Sequence, residues 1–236
     1  MTPETDRTPR PLEAPRVGVR GEATIEVEPE LARITVTVRS RGADRRHTLD
    51  DLTRRNTQAL DLIKSYGDAV EKLETGTIGL TPELRDKGRD RGEKIRAYHG
   101  VVRIGATLTD FTALGELTTR LADLELTAVD GPWWSLRPQS PVYREARQQA
   151  VRDAVQRGRE YAEALGATLT ALIELADDGV HQATPYPQQA AFVMSARAGG
   201  YSADTAAPPS LDLEPERQNV HAQVTAHFTM TPPVLT

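Results

Sequence analysis

The chain has 236 residues, a formal net charge of −5, 38% hydrophobic, 27% charged and 5% aromatic residues, and no cysteine. The apolar fraction excludes a wholly disordered chain, and the scarcity of aromatics means an aliphatic core. Zero cysteine excludes disulfides, thiolate metal sites, cysteine nucleophiles and iron–sulfur clusters, while the acidic balance argues against a duplex-binding domain and disfavours nucleic acid as a partner.

Residues 1–15 carry four prolines and almost nothing to bury, so they read as a flexible tail. Leu12 is the sole large apolar residue between Met1 and Val17, too little for the apolar run of an export signal. No stretch approaches the ~20 apolar residues of a spanning helix. The expectation from these two observations is a cytoplasmic protein without a membrane-spanning segment.

From Val17 a period of two begins. Val17, Val19, Gly21, Ala23, Ile25 and Val27 alternate with Glu22, Thr24, Glu26 and Glu28, which predicts a half-buried strand. Beyond the turn at Glu28-Pro29-Glu30, Ala32, Ile34, Val36 and Val38 alternate with polar residues, and the two strands read as a hairpin. The spacing of Leu49, Leu52, Ala59, Leu60 and Ile63 predicts a helix over 44–66, with Asn56 interrupting the stripe and Gly67 ending it. Residues 69–81 form a weak strand, and Asp86–Lys94 a mixed-charge loop. Tyr98, Gly100, Val102, Ile104, Ala106 and Leu108 alternate as a long strand.

Asp110 is a candidate N-cap for a short helix carrying Phe111, Leu114, Leu117 and Leu121. A strand over 124–137 contains Gly131-Pro132-Trp133-Trp134. Ser140-Pro141 opens a long helix to Gly166, with an expected apolar face of Val142, Ala146, Ala150, Ala154, Tyr161 and Leu165. Residues 168–176 form a strand. Residues 179–217, rich in Pro, Gly, Gln, Ala and Ser, read as a long loop or disordered insert. A last strand spans Val220 to Phe228. Hairpins mixed with helices give an α+β class: a largely antiparallel sheet with two long helices and one shorter one, in a single domain over 16–231.

Four stretches carry a resemblance. Val17-Gly-Val-Arg-Gly21 with Val27-Glu-Pro-Glu-Leu-Ala32 resembles the opening V-x-G-x-G and P-D-x-A of the SIMPL-domain family. Tyr98 to Leu117, with Asp110-Phe-Thr-Ala-Leu-Gly115, resembles its strand and helix. Tyr143–Ala150 through Ala162–Gly166 is similar to its alanine-rich helix, and Val220-x-Ala-x-Val224 to its closing strand. The order and spacing of the four, covering about residues 16–231, are more specific than any one motif. The resemblance implies an α+β fold, a tendency to form homo-oligomers, frequent export among relatives, and no transferable catalytic residue. Two departures stand out: the missing export signal, and Val19 and Glu30 where the pattern tends to Gly and Asp.

Catalytic chemistry leaves little trace. His221 and His227 share the polar face of the last strand but are separated by roughly 20 Å of strand, too far to ligate one metal. His47, His99 and His181 lie on a helix start, a strand and the probable loop, and no H-x-x-x-H occurs. There is no nucleophile elbow, and with 34 acidic residues any carboxylate pair is an empty signal. No Walker motif appears, and Gly18-Val-Arg-Gly21 reads as close strand packing rather than a phosphate cradle. No catalytic, cofactor-binding or metal residue is therefore expected. Adjacent strand residues face opposite ways, so one of Trp133 and Trp134 is expected in the core and the other exposed as a possible subunit contact. Arg39, Arg41, Arg45 and Arg46 form a basic cluster that could take an anion or a nucleic-acid backbone, although a solvated turn is the simpler reading. Asp153 and Arg157 have the i,i+4 spacing of an exposed helix pair.

The leading expectation is a non-enzymatic, self-associating scaffold or binding module. The alternative is a small-molecule-binding stress protein or cryptic enzyme, with a pocket between sheet and helices. Binding of nucleic acid through Arg39–Arg46 is a third and weaker idea.

Overall fold

A computed structural model describes residues 14–85, 94–182 and 210–234. The elements follow the expected order: β1 (Arg16–Val27), β2 (Leu31–Gly42), α1 (Arg45–Lys64), β3 (Val70–Arg85), β4 (Lys94–Leu108), α2 (Phe111–Ala122), β5 (Thr127–Ser135), α3 (Pro141–Ala164), β6 (Leu169–Gln182) and β7 (Gln218–Met230). Helices beside antiparallel sheets make the fold α+β, as expected. Most of the tail and the Asp86–Lys94 loop lie outside the described residues. So does most of 179–217, although its first four residues complete β6.

The chain divides into two units. In the first, a sheet of order β1-β7-β6 carries α3. Met230 N donates to Pro15 O, Gly18 faces the His227 ring, and Thr24 contacts His221, so β1 and β7 run antiparallel. In the second, a sheet of order β3-β4-β2-β5 carries α1 and α2.

The expected β1–β2 hairpin is not formed. The two strands belong to different sheets, β1 pairing with β7 and β2 with β4 and β5. Alternation and a proline turn are compatible with a hairpin, but they carry no information about the hydrogen-bonding partner.

The second unit buries large aliphatic side chains. Ile34, Val36 and Val38 of β2 and Ile104, Ala106 and Leu108 of β4 face Leu52, Ala59 and Ile63 of α1 and Leu114, Leu117 and Leu121 of α2. Asp110 accepts hydrogen bonds from Thr112 N and Ala113 N and caps α2, as its position predicts. Asn56 lies on the buried stripe of α1, and its Oδ1 has no partner among the described residues. The segment from Ser210 runs without regular structure along α2, where Leu211 N donates to Thr119 Oγ1 and Leu213 joins the core.

The first unit is packed differently. The buried stripe of α3 is Ala146, Ala150, Ala154, Gly158 and Ala162. Tyr161, expected on that face, is 60% exposed, and Leu165 is 37% exposed. The reason is the closeness of the helix to the sheet. A Cβ on Gly21 would strike the Ala150 carbonyl and Ala154, and one on Gly158 would lie 3.2 Å from the Phe228 ring. Only small residues fit, so larger ones turn outwards. The reading of the Gly18–Gly21 run as close packing holds.

Candidate functional site

The four-stranded sheet has one face covered by helices and one open. Register decides which side chains reach the open face. β2 contributes Arg33, Thr35, Thr37, Arg39 and Arg41, whose β4 partners are Thr107, Gly105, Arg103, Val101 and His99. On the other side of β2, Trp133 pairs with Arg33 and Trp134 with Ala32. Neighbouring strand residues point to opposite faces. Trp133 therefore stands on the open face, 48% exposed. Trp134 packs against the core, edge-on to Phe111 at 4.8 Å. Gly131, at φ 114°, occupies the register break between Arg33 and Thr35; a Cβ there would lie 2.9 Å from Arg33 O.

The distal end of the face is organised around Glu83 of β3. Its carboxylate lies 2.8 Å from Arg41 Nη2, 2.7 Å from His99 Nε2 and 3.3 Å from Arg96 Nη1. The hydrogen bond from His99 and then that from Arg41 draw the Glu83 carboxyl from its ordinary 4.5 down to about 2. Among the described residues one carboxylate thus balances two guanidiniums, Arg41 and Arg96. At the near end, the Arg33 guanidinium lies over Gly105. Arg39 and Arg103 are exposed and have no ion-pair partner among the described residues.

The basic cluster expected from sequence is split. Arg39 and Arg41 stand on the open face, whereas Arg45 and Arg46 begin α1, whose Thr48 packs on the covered side against Ser40. Arg33, Arg96 and Arg103 share the sheet with Arg39 and Arg41, a grouping that only strand register reveals.

In the first unit, Asp153 and Arg157 pair at 2.8 Å as their spacing predicts. Asp153 also accepts a hydrogen bond from Glu22 N, occupying a donor on the outer edge of β1. The opposite edge, β6, leaves Leu172 54%, Ile173 44% and Leu175 45% exposed. Leu172 pairs with Phe228 and Leu175 with Ala226, both buried. These leucines therefore lie on the helix-bearing face of the sheet and remain exposed there. His227 lies 3.7 Å from Glu174, and His221 contacts Thr24. Among the described residues no three of His, Asp and Glu are grouped to hold a metal ion, and no helix is long and apolar enough to cross a membrane.

A family model described as "Protein of unknown function (DUF541)", SIMPL, matches residues 17–228. An uncharacterized protein YggE from Edwardsiella ictaluri is 24% identical over 159 residues, covering 66% of this chain and 65% of the relative. A 26 kDa periplasmic immunogenic protein from Brucella melitensis is 25% identical over 175 residues, covering 69% of this chain and 66% of the relative. The chain thus spans about two thirds of the length of the curated relatives it matches. With the strand–helix order predicted from sequence present among the described residues of the matched region, the chain belongs to the SIMPL family.

Proposed function

We propose that this chain is a non-enzymatic SIMPL-domain protein that self-associates and serves as a scaffold or binding module. The observation that carries the reading is the β6 edge. An edge strand offers unpaired backbone donors and acceptors, and exposed apolar side chains beside them favour association. Among the described residues β6 has both, whereas Asp153 takes up the Glu22 N–H on the opposite edge. Register breaks at Leu169/Ala171, Leu172/Glu174 and Asp177/Val180 interrupt the ladder, so Leu172, Ile173 and Leu175, rather than a long run of new hydrogen bonds, supply the contact. The test is the mass in solution of the full chain beside a Leu172→Glu, Leu175→Glu variant. A defined oligomer that the variant loses supports the reading; a monomeric wild type sinks it.

A second reading, a small-molecule-binding protein, has one observation in its favour. A cleft of about 420 Å³ between β1 and α3 is lined by Val17, Leu165 and Met230, with Arg16, Arg157 and Tyr161 also on its walls. An apolar floor beside guanidiniums suits a small amphipathic carboxylate. A thermal-shift screen with medium-chain carboxylates tests it, and no shift with any of them removes it. The cytoplasmic expectation competes with export, since the Brucella relative is named periplasmic; cell fractionation decides between the two.

A further inference from the structure

We infer that the open face of the four-stranded sheet is a binding surface for single-stranded nucleic acid. The chain as a whole is acidic, yet register concentrates arginine on this one face: Arg33, Arg39 and Arg41 from β2 and Arg103 from β4. Its acids are already engaged or outnumbered. Glu83 is held by Arg41, His99 and Arg96, and Glu74 by Lys72 at 2.7 Å. Asp130, opposite Thr35, is the remaining acid on the β2–β5 pair. Arg39 and Arg103 have no ion-pair partner among the described residues, so an incoming anion displaces no existing pair there.

The shape selects among polyanions. From Arg33 to Arg41 is eight residues of β2, about 26 Å at strand rise, a track long enough for several nucleotides. Between the cations lie the small residues Thr35 and Gly105, which let a backbone approach, while Thr37 is buried at 4% exposure and forms the floor between Arg39 and Arg103. Exposed Trp133 flanks Arg33 at one end, a planar surface on which a base can stack. An acidic peptide offers no base to stack on that ring, and one exposed ring among arginines does not make the apolar band that membrane insertion needs. A duplex keeps its bases stacked internally, so it engages the arginines alone. The surface is independent of β6, and the inference does not rest on self-association.

The test is fluorescence anisotropy of a labelled oligothymidylate with the full chain, repeated across a salt series. Wild type binds at low salt. Arg39→Ala, Arg103→Ala together weaken binding about tenfold or more and reduce the salt slope by about 1.4, the value for two single-strand phosphate contacts. Trp133→Ala weakens it about fivefold or more with the slope unchanged. Arg144→Ala, Arg147→Ala on the exposed side of α3 removes the same charge and leaves binding as it was. All four positions of the paired variants are exposed, and circular dichroism verifies that each variant is folded. The inference is overturned by no binding at low salt, by equal losses in the α3 control, by duplex binding as tightly as single strand with Trp133→Ala silent, or by anionic vesicles outcompeting the oligonucleotide.

Discussion

The two units solve one problem in opposite ways. Each lays helix on one face of an antiparallel sheet. The second fills the gap with large side chains, Ile34, Leu52, Ile104, Leu114, Leu117 and Leu121, all 2% exposed or less. The first closes the gap, bringing α3 onto β1 through Gly21, Ala150 and Ala154. Burial of apolar area drives one, and close backbone approach with many short dispersion contacts drives the other. The two units therefore tolerate opposite kinds of change.

Truncation in the second unit should have the largest effect. Leu117→Ala removes a fully buried side chain from between α2 and the sheet. It should cost about 2–5 kcal/mol in denaturant unfolding. The reverse change tests the first unit: Ala150→Leu inserts volume where Gly21 already excludes a methyl group, and should cost about 1–3 kcal/mol. A neutral Ala150→Leu would mean that the helix lifts without penalty, and the contrast would fail.

The smallest effect concerns the open face. Glu83 is held at about 2, below its ordinary 4.5, by His99 and Arg41. A depressed carboxyl stabilises the fold fully above 4.5, and that contribution fades as pH falls through about 2. Arg41→Ala should therefore raise the Glu83 titration midpoint towards 4.5, as read by NMR on the side-chain carboxyl carbon. An unmoved midpoint would contradict the arrangement at the distal end of the face.

Element type and order were legible in the sequence because the periods of two and 3.6 are strong here, and Asp110 and Pro141 mark helix starts. The opposed facing of Trp133 and Trp134 followed from strand geometry alone. Partnership was not legible. β1 and β2 looked like a hairpin, yet pairing is settled by which faces must be buried together, a tertiary property. Tyr161 and Leu165 fit the helical period of α3, but period says nothing about how close the sheet comes, and at that distance Gly158 and Ala162 take the inner positions. The arginine face escaped for a related reason. Arg39 and Arg103 are 64 positions apart in the chain, and antiparallel register alone makes them neighbours, while Arg45 and Arg46, close in sequence, are carried off on α1.

Association through β6 is read out by light scattering on a sizing column at two protein concentrations. The expected result is one defined mass, a multiple of 25.9 kDa, at both concentrations, and collapse to 25.9 kDa in the Leu172→Glu, Leu175→Glu variant with its unfolding midpoint preserved. A wild-type chain that elutes at 25.9 kDa at both concentrations, or an oligomer that the variant leaves intact, would contradict it.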